Sequence, residues 1–152
     1  MNPARAIGRL ARIVAALATA VLAVTASGGN FSPTVWATPI RTATNSPGAP
    51  ISVGTTNLSP AGGSGQIAIT PDGKTAYVAT ASGVTPISTA TNKAGTPIQI
   101  ADLTQIAITP DGKTVYVATA SDAIIPINTA TNTRGQPIHI FTRFNPAIAI
   151  TP

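Results

Sequence analysis

The side chains able to do acid–base or metal chemistry are few in this sequence and widely spaced. The 152 residues include four aspartates and one histidine, with no glutamate and no cysteine. A thiol nucleophile, a disulfide or a cysteine-ligated metal centre is excluded, because each needs a cysteine. The single histidine, His139, cannot build a multi-histidine metal site within one chain. We therefore predict no catalytic, metal-binding or cofactor-binding residue.

Each acidic residue has a simpler explanation than catalysis. Asp72 and Asp111 occupy the same position of a repeated Thr-Pro-Asp-Gly-Lys segment, where aspartate favours a turn. Asp102 and Asp122 are unrepeated loop residues, so a paired-carboxylate site has little to draw on. His139 lies between two isoleucines and is expected to be the polar member of an alternating strand.

Trp36 is the only tryptophan, and it stands where the next repeat has Gly83. It is either an exposed platform for a ligand or a packed aromatic residue. Neither reading assigns it a chemical role.

The charge distribution excludes a nucleic-acid surface. The formal net charge is +5, but three of the nine basic residues are Arg5, Arg9 and Arg12 at the extreme N-terminus. The other six are spread singly along the chain, without a basic run or interleaved aromatic residues. The mean hydropathy of +0.29, with only 9% charged residues, also argues against a disordered chain.

The N-terminal region has the layout of a signal peptide. Residues 1–12 carry the three arginines and no acid, and 13–24 form an uncharged apolar run. A run of about a dozen residues is too short for a stable membrane span. We expect a signal-peptide helix in residues 1–26, cleavage after Ala26 or alternatively after Ala23, and a flexible linker at 27–33. The competing interpretation is a core or amphipathic helix of a cytosolic domain.

Internal repeats are the strongest pattern in the chain. Residues 67–75 recur without change as 106–114, an offset of 39, and 77–82 recur without change as 116–121. A second block, 85–92, reappears in related form at 125–132 and upstream at 38–45. Ile148-Ala149-Ile150-Thr151-Pro152 opens a further copy. Repetition at this period is typical of stacked supersecondary units.

Within one repeat, short runs of β-branched and apolar residues are separated by turn residues, which predicts strands. In the first whole repeat these are expected at Gln66–Thr70, Thr75–Thr80, Val84–Ser88 and Pro97–Ala101. Four strands in roughly 40 residues match a β-propeller blade. The predicted organisation is a half blade at 34–53, a Gly-rich loop at 54–65, blades at 66–105 and 106–145, and the first strand of a further blade at 146–152.

The segment Ile-Thr-Pro-Asp-Gly-Lys-Thr-Val-Tyr-Val at 108–117, followed by Thr-Ala-Thr-Asn at 129–132, resembles the YVTN-type β-propeller repeat. This family comprises exported and surface-layer-like bacterial proteins. The resemblance covers about residues 34–152. It implies an all-β propeller fold and a location at the cell envelope or outside the cell.

The expected function is a non-catalytic scaffold that binds a protein or cell-envelope ligand, with no nucleic-acid partner and no stable membrane span after signal cleavage. Because propellers close with typically four to eight blades, about three would leave an incomplete ring. We therefore expect self-association if the chain is complete. Two alternatives remain: a lactonase-like propeller enzyme, and the N-terminal fragment of a longer propeller protein with no function alone.

Overall fold

The computed structural model describes residues 18–23, 34–55, 65–80, 83–140 and 148–151. These residues form three antiparallel sheets and no helix, which confirms the predicted all-β class and is compatible with incomplete propeller-type blades. The first sheet contains β1 (Ala18–Ala23), β2 (Thr34–Arg41), β3 (Ser46–Pro47) and β4 (Ile51–Thr55). The second contains β5 (Ile67–Ile69), β6 (Thr75–Thr80), β7 (Gly83–Ser88) and β8 (Lys93–Ala94). The third contains β9 (Leu103–Ile108), β10 (Thr114–Thr119), β11 (Ala123–Asn128), β12 (Thr133–Arg134) and β13 (Ile138–His139).

The second and third sheets share one strand plan. Their strands pair in chain order, β5-β6-β7-β8 and β9-β10-β11-β12, with β13 continuing the outer edge on β11. The predicted fourth strand, Pro97–Ala101, does not form: β8 lies earlier, at Lys93–Ala94, and within the predicted range Ile98 makes only an isolated bridge with Val84. The β8 ladder ends for a local reason, since Gly95 donates its N–H to Pro86 O at 2.7 Å but Pro86 has no N–H to return, and Pro97 has none either.

Two kinds of turn recur at the ends of the strands. The predicted Thr-Pro-Asp-Gly hairpin turn is confirmed: Gly73 has φ 70° and donates its N–H to Thr70 O at 2.7 Å. The Thr-Ala-Thr-Asn turns end on Asn45, Asn92 and Asn132, with φ between 49° and 54°. Asparagine tolerates this left-handed conformation better than most residues with a side chain.

The sheets stack face to face, and each interface has its own apolar core. The first interface lies between the first and second sheets, and its core comprises Val35, Ala37, Val53, Ala76, Val78 and Ile87. The second interface lies between the second and third sheets, and its core comprises Tyr77, Val84, Ile98, Ile100, Leu103, Val115, Val117, Ile125 and Ile127. Alternate residues of β6 and β7 therefore face opposite neighbours, which explains their apolar composition on both faces.

A glutamine at the start of each whole repeat connects one sheet to the next. The Gln66 amide donates to Thr104 O at 2.9 Å and accepts the N–H of Ile106 at 3.1 Å. Gln105, its equivalent in the third sheet, accepts the N–H of Ile148 at 2.7 Å. Ile148 thus has the same relation to the third sheet that Ile106 has to the second, as expected for the start of a further repeat.

The N-terminal strand differs from the sequence expectation. Ala18–Ala23 pair antiparallel with β2 as a strand, where a signal-peptide helix was predicted. Pairing with an open sheet edge satisfies their backbone groups as a helix would, so tertiary context decides the conformation. The remaining residues of 1–26 and the linker 27–33 lie outside the described residues. No helix capable of crossing a bilayer occurs in the described part of the chain.

The boundaries of the predicted Gly-rich loop also shift. Gly54 and Thr55 continue β4 and pair with Val35 and Thr34, so the first sheet extends beyond residue 53. Gly65 donates its N–H to Ala79 O at 2.8 Å and already belongs to the second sheet. The residues between, 56–64, lie outside the described part of the chain.

Candidate functional site

The carboxylates of Asp72 and Asp111 are hydrogen-bonded within their own turns. One carboxylate oxygen of Asp72 accepts the Thr70 hydroxyl at 2.6 Å and the Lys74 N–H at 3.0 Å. These bonds, the hydroxyl first, lower the pKa of Asp72 from 3.8 to about 2. A carboxylate held in its ionised form in this way is a poor general acid or base near neutral pH.

The same geometry repeats in the third sheet. Asp111 accepts the Thr109 hydroxyl at 2.6 Å and the Lys113 N–H at 3.0 Å, and these bonds lower its pKa in the same order. The lysine ammonium groups lie 3.3 Å from Asp72 and 3.8 Å from Asp111, at exposed positions where such pairs contribute little to stability. The turn interpretation of both aspartates therefore has a complete geometric basis.

The other candidate residues, Asp102, Asp122 and His139, lie in loops or in a short strand. Asp102 and Asp122 adopt φ 55° in loops, and their carbonyl groups accept the N–H groups of Ala120 and Ile140. His139 is exposed in β13, opposite Ala123. Among the described residues no three histidine, aspartate or glutamate side chains come together as metal ligands would.

Trp36 is intermediate between the two expectations for it. It lies in β2 opposite Ser52, and 38% of its surface is exposed. The side chain is therefore partly packed and partly available to a partner.

Tyr77 shows how an aromatic residue can fill the space between two sheets. Its ring is 1% exposed at the second interface. The hydroxyl donates to Asn132 Oδ1 at 2.8 Å and lies 3.4 Å from Thr129 O, both in the Thr-Ala-Thr-Asn turn of the next sheet. Burial raises the pKa of this phenol, since the charged form would lose its hydration.

The corresponding space at the first interface is an open cleft of about 660 Å³. Its lining includes Pro39, Arg41 and Ile51 from the first sheet, and Thr89, Asn92 and Lys93 from the second. Thr89 and Asn92 are the equivalents of Thr129 and Asn132, and Pro39 is the equivalent of Pro86, the residue paired with Tyr77. The cleft therefore lies where a tyrosine lies at the next interface.

This cleft combines features of a ligand site. Prolines and isoleucines supply apolar walls, Asn92 and the threonines supply hydrogen-bonding groups, and Arg41 and Lys93 supply positive charge. Sequence reasoning did not identify it. The available signal was that the upstream copy of the repeat preserves Thr-Ala-Thr-Asn at 42–45 without a Tyr-Val-Ala-Thr block before it.

No protein-family model matches the chain, and no curated protein matches it. The likeness to the YVTN-type repeat therefore rests on the repeated residues alone.

Proposed function

We propose that this protein is an exported, non-catalytic repeat scaffold that binds a protein partner at the cell envelope or outside the cell. The observation that supports binding most directly is the cleft at the first interface, which is concave and has both apolar and polar walls. The aspartates that could support hydrolysis are instead hydrogen-bonded within turns.

The proposed location rests on the N-terminal segment. Three arginines precede an apolar run of signal-peptide length, and small residues precede the expected cleavage point after Ala26. Native mass spectrometry of the protein recovered from its host's envelope and medium tests this proposal. We expect a chain beginning at Ser27, whereas an intact N-terminus in a cytoplasmic fraction would refute export.

Binding can be tested by co-sedimentation of the purified protein with the envelope fraction of its own host. A variant with Arg41→Glu and Lys93→Glu reverses both charges of the cleft at exposed positions, where little effect on folding is expected. Lys113→Glu is the control, since this lysine is also exposed but lies in a turn of the third sheet. We expect the double variant to lose most binding and the control to retain it. Equal binding by all three proteins would refute a role for the cleft.

A further inference from the structure

The strand β1 occupies a specific place in the repeat. It pairs with β2 over six residues, from Ala18 opposite Arg41 to Ala23 opposite Trp36. In the second sheet the six pairs run from Thr75 opposite Ser88 to Thr80 opposite Gly83, and in the third from Thr114 opposite Asn128 to Thr119 opposite Ala123. Because Arg41, Ser88 and Asn128 are equivalent repeat positions, β1 has the register of a repeat's second strand without its sequence.

The edge of β2 is well suited to accept a strand. In an antiparallel pair the N–H and C=O of one residue point to the same side. Pro39 accepts the N–H of Gly48 at 2.7 Å, so it faces β3, and its missing N–H removes nothing from the opposite edge. The main-chain groups of Thr38 and Ile40 consequently point toward β1. Without β1 they would form an unpaired edge, which is a template for another strand.

The register also identifies the side chains that this edge accommodates. Residues directly opposite each other lie on the same face of a sheet. Tyr77 and Ala79 pair with Pro86 and Val84, and this face of the second sheet packs against the third sheet. In the first sheet the same positions pair with Pro39 and Ala37, and Ala37 packs against the second sheet. A strand on this edge therefore presents its third and fifth residues to the first interface.

The third residue of a strand on this edge lies at the position of the cleft. Ala20 stands at the register of Tyr77, and the cleft lies where the Tyr77 ring lies at the next interface. A tyrosine at this position would reach the Thr89–Asn92 turn as Tyr77 reaches Thr129 and Asn132. The fifth position is alanine in both whole repeats, Ala79 and Ala118, which favours a small residue there.

We propose that the outer edge of β2 is a strand-acceptor site, covered by Ala18–Ala23 until the N-terminal segment is removed, and that it then binds an extended segment of another polypeptide with the Thr-Val-Tyr-Val-Ala-Thr pattern. The ligand's tyrosine fills the cleft and donates to Asn92. This inference rests on the proposed function and names its binding site, ligand class and regulation. Main-chain bonds supply affinity and the tyrosine supplies specificity, as in other cases of strand addition.

The ligand chemistry follows from the repeats themselves. Six main-chain pairs, a tyrosine opposite proline and a small residue two positions later are found twice in this chain. A second copy pairing edge to edge would place β2 opposite β2 and leave the cleft without a tyrosine. The structure therefore favours a repeat-type strand supplied by another polypeptide.

The test uses the full chain with a protease site inserted between Gly28 and Gly29, so that folding precedes cleavage. The probe is a labelled peptide with the sequence of residues 113–120, Lys-Thr-Val-Tyr-Val-Ala-Thr-Ala. Fluorescence anisotropy measures its binding before and after cleavage, and mass spectrometry detects release of the N-terminal fragment. We expect binding to the cleaved protein and at least about tenfold weaker binding to the uncleaved one, since β1 is then tethered at the edge.

Two substitutions test the tyrosine. A peptide carrying Tyr116→Ala should bind about tenfold more weakly or worse, because a buried aromatic anchor is lost. In the protein, Asn92→Gly removes the acceptor while keeping the positive φ, and should weaken the parent peptide several-fold. Asn45→Gly is the matched control, because Asn45 ends the equivalent turn of the first sheet and does not line the cleft.

Four results would overturn the strand-acceptor site: retention of the fragment after cleavage with no exchange for the peptide, release of the fragment without peptide binding, equal affinity for the Tyr116→Ala peptide, or dimerisation of the cleaved protein in light scattering without peptide. If the peptide fails while envelope binding still depends on Arg41 and Lys93, the scaffold function stands and only this site is refuted.

Discussion

The two repeat tyrosines provide a matched pair of substitutions that tests how the sheets are joined. Tyr77→Phe removes a hydroxyl that donates to Asn132 Oδ1 at 2.8 Å while keeping the buried ring. Tyr116 occupies the same repeat position, but its hydroxyl has no hydrogen-bond partner among the described residues. Only the first substitution should therefore destabilise the protein.

The expected loss of stability in Tyr77→Phe depends on whether water can reach the acceptors that the hydroxyl leaves. Asn132 is exposed, so water can replace the lost donor, and the bond to Thr129 O at 3.4 Å is long. The cost is then that of one ordinary hydrogen bond, about 1 kcal/mol, without an added penalty for a buried unpaired group. For a urea dependence of about 2 kcal/mol/M, the unfolding midpoint should fall by about 0.5 M.

Urea unfolding followed by circular dichroism measures both variants, and a double-mutant cycle with Asn132→Gly isolates the contact. The double variant with Tyr77→Phe and Asn132→Gly should lose less free energy of unfolding than the sum of the losses in the two single variants. Equal effects of Tyr77→Phe and Tyr116→Phe, or strict additivity with Asn132→Gly, would refute the assigned contact.

Three further predictions concern the turns and the sheet contacts. Asp72 ionises with a pKa of about 2 instead of 3.8, so its ionised carboxylate stabilises the folded protein above pH 3.8, and this contribution is lost as the pH falls toward 2. A variant with Asp72→Asn and Asp111→Asn should therefore show a weaker acid dependence of its urea midpoint than the wild type. Gly83→Ala should destabilise by roughly 2–4 kcal/mol or prevent folding, because its φ is 127° and a Cβ would overlap the Ile98 carbonyl, whereas Ala123→Gly at the equivalent position should cost only about 1 kcal/mol in the same assay. Gln66→Ala removes both amide bonds to the third sheet and should cost about 1–2 kcal/mol, with faster hydrogen exchange at Ile106 N–H; unchanged exchange there would contradict this role.

Local sequence patterns predicted the strands that begin and end at turn residues. The strand Thr75–Thr80 has its predicted bounds. The strand predicted at Val84–Ser88 begins one residue earlier in the structure, at Gly83. The fourth strand was predicted too late in the chain, because Pro86 and Pro97 lack the N–H groups that would extend the pairing of β8 with β7. Hairpin chemistry is local, whereas the outer strand depends on the sheet it joins.

The parts that sequence reasoning could not supply are all non-local. The apolar run 13–24 has no periodicity that favours a strand, and Ala18–Ala23 become one by pairing with β2. The Tyr77 contact spans 55 residues and the Gln66 contact to Ile106 spans 40. Both residues are repeated and therefore noticeable, but their partners depend on how successive sheets stack.

The two interfaces differ in one respect that bears on binding. The first interface has an apolar core and also a buried hydrogen bond, from the Thr85 hydroxyl to Val53 O at 2.7 Å. Its contact with the second sheet is therefore maintained without a tyrosine between Pro39 and the Thr89–Asn92 turn. A ligand that enters this space need not separate the sheets, because the packing that joins them lies elsewhere in the interface. A site of this kind can remain empty or filled at little cost to the fold, which is a property that the proposed binding scaffold requires.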